Sequence, residues 1–481
     1  MIKRILLFLL VGVFILASIV LFNTFRFTSI QSSFESKPAP SLLEAAIKNL
    51  TEAIKFRTIS FSDSSKLDSS QFFGFHRFLE FTYPFVHQKL IKEKLVEYSL
   101  LYKWEGKNPQ LNPVVLMAHQ DVVPIEEASQ SMWTVDPFAG IVKDDFIWGR
   151  GTADDKINLI AIMEATEKLL TENFQPERTI YFAFGHDEEV GGRGAQAIAA
   201  LLKSRNVTAD LVLDEGGIIT KDRVPGMNKP VALLGTSEKG FLSLYLSVEK
   251  YGGHSSMPER ETSIDILAKA IIRLRDKPFS PQFSPSTQGF IKNLGPEMPF
   301  VNKMAFANIW LFKPMVISIY EKSAGGNAMI RTTTVPTIID AGIKDNVVPT
   351  IATATINFRL LPGDSSSIVM KRVKEIINDE RVRITSSKGF ISEPSVVTSE
   401  ESYGYKKVNE IVKRSFDGMT TTPFLMIGGT DSRYFGEVSQ GIVKFSPMVD
   451  PIGFHGIDER VSLESYQGSI WFFEQLIREA K

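Results

Sequence analysis

The chain has 481 residues, enough for two or three domains with large buried cores. Its 54 Lys and Arg residues nearly balance its 55 Asp and Glu residues, so we expect no nucleic-acid partner. It contains no cysteine, which excludes disulfides, thiolate nucleophiles and sulfur-ligated metal sites. Any metal must therefore be held by His, Asp and Glu.

The N-terminus carries an uninterrupted apolar run from Ile5 to Phe22, preceded by Lys3 and Arg4. Such a run is close to the ~20 residues that cross a bilayer as a helix, and it exceeds the ~7–15 residues of a signal-peptide core. We predict a transmembrane signal anchor over residues 1–26, with a cleaved signal and a secreted protein as the alternative. The positive charges place the bulk of the chain outside the cytoplasm. A polar linker is predicted over residues 27–41.

From residue 42 the sequence alternates short apolar segments with amphipathic or apolar helices. The segments 114–117, 179–184 and 211–213 read as buried strands, which predicts an α/β domain with a mixed, mostly parallel sheet and flanking helices. Acids or histidine follow each strand, in "AHQD", "GHDEEVGG" and "DEGG". Ligands bind beyond the carboxyl ends of such strands, so we expect these segments to converge, together with "GRGTADDK" at a helix start.

His119 and Asp121 stand two residues apart at the end of the first strand, on the same face of an extended chain. Taken alone, a histidine at a strand end is more often structural than a ligand, and a run of acids is more often a solvated turn. Burying so many carboxylates together without a cation would be costly, so their conjunction favours a metal cluster. Asp121 would then orient the imidazole of His119.

Further oxygen ligands come from three pairs of neighbouring acids: Asp154 and Asp155, Glu188 and Glu189, and Asp214 and Glu215. The first pair competes for one inward position. In the second pair one carboxylate can bind metal while the other handles a proton. These patterns leave open which member of the third pair serves.

Seven motifs, in this order, resemble the dizinc exopeptidase and aminoacylase family, which includes carboxypeptidase S, aminoacylase and glutamate carboxypeptidase. They are "HQD" at 119–121, "GRGTADDK" at 149–156, "HDEEVGG" at 186–192, "DEGG" at 214–217, "GGHSSMP" at 252–258, "GGTDSR" at 428–433 and "HGIDE" at 455–459. The match covers nearly the whole chain after the linker. It is most similar to the carboxypeptidase S branch, which also holds the N-fatty-acyl amino acid synthase/hydrolase.

The resemblance implies a two-metal centre in which Asp154 bridges both ions. One ion would be held by His119 and Glu215 and the other by Glu189 and His455, and the peptide bond after Asp154 would be cis. Zinc is the metal that the resemblance implies, and cobalt and manganese accept the same ligands.

The resemblance also implies roles for residues around the metals. Glu188 would be the general base that takes a proton from the attacking water and passes it to the leaving amine. His254 would polarise the scissile carbonyl. Asn346 and Arg359 would help to hold the substrate, and Arg433 would bind its terminal carboxylate through a planar guanidinium.

The region after "DEGG" runs strand, helix, strand, helix before the site motifs resume. This order predicts an α+β lid over residues 240–394, inserted between two parts of the catalytic domain at 42–239 and 395–481. The stretch 279–337 is longer than the lid of simpler relatives. Whether His254 acts within one chain or across a homodimer therefore stays open.

The predicted reaction is hydrolysis of an amide bond adjacent to a free carboxylate, in a small peptide or an N-acyl amino acid, with the reverse condensation chemically available. One alternative is a membrane-anchored binding protein on a catalytically dead hydrolase fold. The presence of Glu188 together with all five expected ligands counts against it. Another alternative, a deacetylase acting on sugars, would not need Arg433 and the lid residues.

Overall fold

The computed structural model of the chain describes residues 1–386 and 391–481. The helices found within these residues are α1 Ile2–Arg26, α2 Glu44–Ile54, α3 Ser69–Thr82, α4 Pro84–Lys89, α5 Glu127–Gln130, α6 Lys156–Thr171, α7 Arg193–Ser204, α8 Ser263–Asp276, α9 Pro285–Leu294, α10 Phe300–Ala307, α11 Ile309–Glu321, α12 Ala324–Ile330, α13 Ser366–Ile377, α14 Tyr403–Ser415 and α15 Leu463–Glu479. The strands are β1 Ile91–Leu95, β2 Ser99–Trp104, β3 Val114–His119, β4 Ile141–Lys143, β5 Phe146–Trp148, β6 Ile180–Gly185, β7 Leu211–Thr220, β8 Val231–Glu238, β9 Gly240–Glu249, β10 Gly253–His254, β11 Thr333–Ala341, β12 Val347–Val348, β13 Ile351–Leu360, β14 Val382–Ser386, β15 Thr420–Met426, β16 Ile442–Val449 and β17 Arg460–Ser462.

An eight-stranded sheet forms the centre of the catalytic part, in the order β1-β2-β6-β3-β7-β16-β8-β15. β3 runs parallel to β6 and β7, β16 parallel to β7, and β15 parallel to β8, while β1 and β2 join in antiparallel fashion. Every residue of β3 and β6 is buried. Their nearly continuous apolar sequences are typical of strands covered on both faces. The predicted mixed, mostly parallel sheet is confirmed.

Helices cover both faces of this sheet. α6 and α15 pack together on one face, where Ile157 and Phe472 belong to the largest core cluster. α7 covers the other face, where Ile198 and Leu202 pack with Val115. The central strands β3 and β6 are therefore closed to solvent on both faces.

A second sheet, antiparallel and in the order β11-β13-β9-β14, is inserted between β8 and β15 along the chain. Buried and more exposed residues alternate along β9 and β13, as expected for a sheet with one covered face. Ile266 and Leu267 of α8 and Val369 and Val373 of α13 cover that face. The predicted α+β lid is confirmed, while the residue boundaries of the five predicted segments stay predictions.

The helices α9 to α12 interrupt the lid sequence, and the first of them packs on the catalytic sheet. α9 lies against β15 and β8. Its residues Phe290 and Leu294 form a small core with Val231 and Met298. Part of the range predicted as lid is therefore an extra helical layer beside the outer strands of the main sheet.

In the described residues α1 is the one helix long and apolar enough to cross a membrane, a test that a signal sequence also passes. Val20 and Thr24 near its end are buried, whereas most of its apolar surface is exposed. Residues 27–43 form neither helix nor strand. The Gln31 side chain donates a hydrogen bond of 2.9 Å to the Thr421 carbonyl, so the segment predicted as a linker is held against the body.

Candidate metal centre and active site

The carboxyl ends of three neighbouring strands meet at one edge of the main sheet. His119 is the last residue of β3, Gly185 is the last residue of β6, and Glu215 lies within β7. β3 is paired in parallel with both other strands, which places these residues at the edge where α/β proteins bind ligands. The 3₁₀ turn Glu188–Val190 follows β6 directly.

Asp154 lies between two histidines and offers one oxygen to each. Its Oδ1 is 2.9 Å from Nε2 of His119, and its Oδ2 is 2.9 Å from Nε2 of His455. The Asp154–Asp155 peptide bond is cis, as the resemblance implies. A carboxylate whose two oxygens face different partners has the arrangement required of a bridging ligand.

Each histidine has a second acidic neighbour. Nε2 of His119 lies 3.4 Å from Oε1 of Glu215, and Nε2 of His455 lies 3.1 Å from Oε1 of Glu189. The five predicted ligands thus form two sets of one imidazole and one carboxylate, joined through Asp154.

His119 is oriented by Asp121. Its Nδ1 lies 3.0 Å from the Asp121 carbonyl oxygen and 3.3 Å from the Asp121 carboxylate. An N–H donated there fixes the tautomer and leaves Nε2 to face Asp154. This is the geometry expected of a ligand and its orienting acid.

Asp121 also holds the turn that carries the two glutamates. Its carboxylate accepts the backbone N–H groups of Glu188 and Glu189 at 3.2 Å each, and the Ser60 hydroxyl at 2.6 Å. Burial raises the pKa of Asp121, but the His119 imidazole and these donors outweigh it and lower that pKa. One buried carboxylate therefore fixes residues of both metal sets.

Two overlapping groups of ligand atoms lie within 4.8 Å of one another: His119, Asp154 and Glu189, and His119, Asp155 and Glu215. Both groups contain His119, and they differ in the aspartate and in the glutamate. Oδ1 of Asp155 accepts a hydrogen bond from Asn158 at 2.5 Å, whereas Asp154 contacts both histidines. We therefore assign the shared position to Asp154.

Two further residues of the motifs lie outside the cluster. Asp214 accepts the backbone N–H of Ser432 at 2.7 Å. The buried His186 shares a hydrogen bond of 2.7 Å with the Ser99 hydroxyl through Nδ1. Both contacts are structural ones.

The cluster suits a divalent cation better than it suits protons. Burial, and then the Asp154 charge, raises the pKa of Glu215 to about 8, and burial also raises the pKa of Glu189. Hydrogen bonds to Asp154 and Glu189 raise the pKa of His455 to about 10. The carboxyl groups resist ionisation and the imidazoles resist deprotonation. A bound cation stabilises the deprotonated form of both, because it replaces the protons. Nitrogen and oxygen donors of this kind fit zinc, cobalt or manganese.

Glu188 lies beside the cluster and, in the described part of the chain, forms no ion pair with either histidine. Its Oε1 is 3.9 Å from Nη2 of Arg433, and its side chain is 10% exposed. Burial raises the pKa of Glu188 well above its usual value, and the Asp431 carboxylate adds to this. A carboxyl group with a raised pKa at a metal cluster can accept a proton and later return it.

Arg433 places a positive charge next to Glu188, at 3.9 Å, and Arg359 lies within its electrostatic reach. The Arg433 guanidinium lies 3.9 Å from Asp431 and 5.1 Å from the centre of the Tyr434 ring. Burial lowers the pKa of Arg359, and the Arg433 charge lowers it further, so the two guanidinium groups are within electrostatic reach. Arg359 stacks over the Phe241 ring at 4.8 Å. The Arg433 guanidinium is therefore suited to bind an anionic group of a substrate.

His254 and Asn346 lie together in the lid, apart from the cluster. β10, which ends at His254, pairs with β12, and the Ser255 N–H donates to the Asn346 carbonyl at 3.2 Å. His254 is exposed, and in the described residues no hydrogen bond or ion pair joins it to the metal cluster. The structure thus brings nine of the eleven predicted site residues to one region and leaves these two outside it.

Glu459 is a residue that the sequence analysis missed. Its Oε1 accepts the backbone N–H groups of Gly151, Ala153 and Asp154 at 3.0, 2.8 and 3.2 Å, and its Oε2 accepts from Arg150 at 2.5 Å. It is completely buried. Glu459 therefore shapes the loop that presents Asp154, and its place in "HGIDE" was the available signal.

Glu459→Gln is expected to lower the free energy of unfolding by about 3 kcal/mol, because it leaves the buried Arg150 charge unpaired. Denaturation in detergent, followed by circular dichroism, measures this change. The double variant Arg150→Met, Glu459→Gln should recover part of the lost stability. The exposed control Glu126→Gln should change the free energy of unfolding of the parent protein by less than ~0.5 kcal/mol. A Glu459→Gln protein as stable as the parent would contradict the assigned role.

A profile of the peptidase family M20/M25/M40 matches residues 115–479. "Probable carboxypeptidase S-like 2" of Dictyostelium discoideum is 39% identical over 498 residues, covering 100% of this chain and 94% of the relative. "N-fatty-acyl-amino acid synthase/hydrolase PM20D1" of Homo sapiens is 38% identical, covering 95% of this chain and 91% of the relative.

A solved structure supports the fold. The M20 family metallo-carboxypeptidase Sso-CP2 from Sulfolobus solfataricus superposes with a TM-score of 0.67 at 18% identity, covering 91% of this chain and 99% of that one. The resemblance drawn from the motifs is confirmed, as is the metallopeptidase or amidohydrolase type of enzyme. The chain belongs to the peptidase family M20/M25/M40.

Proposed function

We propose that this protein hydrolyses an amide bond adjacent to a free carboxylate, in an N-acyl amino acid or at the C-terminus of a small peptide. The observation that carries the proposal is the position of Arg433, 3.9 Å from Glu188. A guanidinium next to a candidate general base would hold a substrate carboxylate within one residue of the bond to be cleaved. The names of the two similar relatives supply both substrate types.

Each site residue has a proposed task. His119, Asp154, Glu189, Glu215 and His455 hold two divalent cations, with zinc proposed and cobalt or manganese as substitutes. When bound, the cations supply Lewis acidity, which lowers the pKa of the attacking water and stabilises negative charge on the carbonyl oxygen.

Proton transfer is assigned to Glu188. Its carboxylate accepts the proton of the attacking water and then returns it to the leaving nitrogen, so the base of the first step is the acid of the second. Asp121 positions this residue through the backbone N–H of Glu188 and orients His119 at the same time. The same path run backwards joins an acyl group to an amino acid, so condensation is part of the proposal.

The test is an assay of the full-length, metal-loaded protein on dipeptides and N-acyl amino acids, each paired with its carboxamide. Turnover of each free-carboxylate substrate at a lower KM than that of its matched carboxamide is the expected result. Cleavage of N-acetyl sugars instead would favour the deacetylase alternative. Binding without turnover would favour the dead-fold alternative.

Arg433→Lys is expected to raise KM for free-carboxylate substrates by ~10–100-fold, because a charged hydrogen bond contributes about 1.5–3 kcal/mol and lysine lacks the planar fork. KM for the matched carboxamide substrates should hardly change. The value of kcat should also stay nearly constant for both members of each pair. Steady-state kinetics on each pair measures both constants. An equal rise in KM for acid and amide would assign Arg433 to some other contact.

We propose that His254 completes the site of a second copy of the chain. Its exposure and its separation from the metal cluster support this, as does the edge strand β11, which leaves Val335, Ile338 and Ile339 uncovered. The homodimer predicted as an alternative from the sequence would bring the lid of one copy to the other.

Mixing two inactive variants tests the source of His254. His254→Ala should lose ~10²–10³-fold in kcat, as removal of an oxyanion donor does. If His254 acts across the dimer, exchange of subunits between the His254→Ala and Glu188→Gln proteins should restore activity at about a quarter of the sites. Half of the dimers are then mixed, and each mixed dimer has one complete site. Activity that stays at the level of the separate variants would place His254 in its own chain.

We also propose that α1 remains on the mature protein and anchors it with the catalytic part outside the cytoplasm. The burial of Val20 and Thr24 against the body supports retention, since cleavage after the apolar run would uncover these contacts. Intact-mass measurement of membrane-extracted protein tests it, and a mass lacking α1 would favour the secreted alternative.

A further inference from the structure

The helices α10 and α11 are joined at Asn308 into one segment, named here the α10–α11 hairpin, that leaves apolar side chains uncovered on both helices. Ala305 is the buried residue of α10 and Val316 that of α11. The exposed large apolar residues of the hairpin are Phe300, Val301, Trp310, Leu311, Met315 and Ile319. A helix that is apolar all round and yet uncovered is typical of a membrane or partner contact, not of a soluble surface.

The hairpin is fixed to the end of α1 by a buried polar contact. Nδ2 of Asn308 donates to the Val20 carbonyl at 3.0 Å and to the Thr24 hydroxyl at 3.2 Å, and its Oδ1 accepts from Asn23 at 3.0 Å. Asn308 is completely buried. A satisfied buried amide of this kind specifies one arrangement, so α1 and the hairpin have a defined relative position.

This contact sets the depth of the hairpin relative to a bilayer. Val20 lies within the apolar run that ends at Phe22, so its carbonyl, and with it Asn308, would lie near the boundary between acyl chains and headgroups. The rings of Phe25 and Phe300 are 6.2 Å apart just beyond this point. In a bilayer spanned by α1, this contact would therefore hold the hairpin at the level of the membrane surface.

The polar residues of the hairpin fit that position. Lys303, Lys313 and Lys322 punctuate the apolar sequence, and the single acid between Phe300 and Lys322, Glu321, forms an ion pair with Arg331. Long basic side chains can extend from an apolar surface toward anionic headgroups, and tryptophan prefers the interface. Trp310 is 58% exposed.

We propose that the α10–α11 hairpin is a second membrane contact, which lies in the headgroup region of the bilayer spanned by α1 and prefers anionic lipid. It rests on the proposal that α1 is retained as an anchor, and it is independent of the proposed reaction. With two attachments the catalytic part has one orientation relative to the bilayer, in which the outer strands β8 and β15 face the membrane side.

The absence of cysteine allows a direct test with single labels. Ile319→Cys and Ile272→Cys are matched, since both residues are isoleucines on helices and both are 56% exposed. Gly12→Cys, in α1, reports insertion of the anchor. Each full-length variant is labelled with a fluorophore and reconstituted in vesicles of phosphatidylcholine and phosphatidylglycerol, with doxyl lipid or aqueous iodide as quencher.

Doxyl lipid should quench the label at position 319 at least about threefold more strongly than that at position 272, because interfacial helices bury their apolar face ~5–10 Å into the boundary. Equal iodide quenching at 319 and 272, with the label at position 12 in lipid, would overturn the hairpin contact and leave the anchor standing. A label at 319 protected from both quenchers would overturn it in favour of a second copy of the chain. An iodide-accessible label at position 12 would overturn anchor and hairpin contact together. The proposed reaction is tested separately, by turnover of a soluble substrate. A result that overturns the membrane contact therefore leaves the proposed reaction untouched.

Discussion

Glu188→Gln is expected to lower kcat by ~10³-fold, which is within the ~10²–10⁴-fold contribution of a positioned general base. The substitution keeps the shape of the side chain and removes its ability to accept a proton. Glu188 faces Arg433 at 3.9 Å, while the five proposed ligands face one another. Metal content, measured by mass spectrometry of the dialysed protein, should therefore stay equal to that of the parent.

Two further variants make this result specific. Glu188→Asp keeps the carboxylate on an arm shorter by one methylene and should show intermediate activity. The exposed Glu126→Gln should leave kcat unchanged. Turnover by Glu188→Gln at the parental rate, on any substrate of the panel, would exclude Glu188 as the base.

The arrangement of the proposed ligands could be predicted because it follows from a rule about strand ends. His119 and Glu215 belong to β3 and β7, which are paired in parallel, so a strand assignment was enough to bring them together. The apolar sequences of β3 and β6 made that assignment straightforward. Asp154 lies just before α6, in a segment that the pattern predicted to join them, whereas the position of His455 followed only from the resemblance.

Glu459 could not be assigned a task because most of its partners have no sequence signature. It accepts the backbone N–H groups of Gly151, Ala153 and Asp154, and any residue except proline offers such a donor. The charge of Arg150 is visible in the sequence, but 309 positions separate it from Glu459. Such pairs appear only when the chain is folded.

The position of the lid relative to the catalytic part could not be predicted from local sequence patterns, for a different reason. The strand and helix order predicted its architecture, but the distance between His254 and the cluster depends on how two separately packed cores are oriented. Interfaces between domains are small and mobile by comparison with cores. The helix α9 shows the same limit, since its residues Phe290 and Leu294 pack beside the main sheet although they lie within the range predicted as lid.

Asp154→Asn is expected to weaken binding of both metal ions by more than ~100-fold, because loss of an outer hydrogen-bonding partner alone costs ~10–100-fold. The amide keeps the volume of the side chain but replaces one of the two oxygens that face His119 and His455. Since Asp154 joins both sets of ligands, one substitution should affect both ions. Competition with a chromophoric chelator measures each affinity, and activity should fall with the metal content.

Asp155→Asn is the matched comparison, because the two aspartates are neighbours and both occur in groups of close ligand atoms. Oδ1 of Asp155 already accepts a hydrogen bond from Asn158, which an amide oxygen can still accept, so both ions should remain bound. Circular dichroism should show the same fold for both variants. If Asp155→Asn loses the ions and Asp154→Asn keeps them, the bridging position belongs to Asp155. If each variant loses a single ion, the two sites do not share a carboxylate and the bridged centre is wrong.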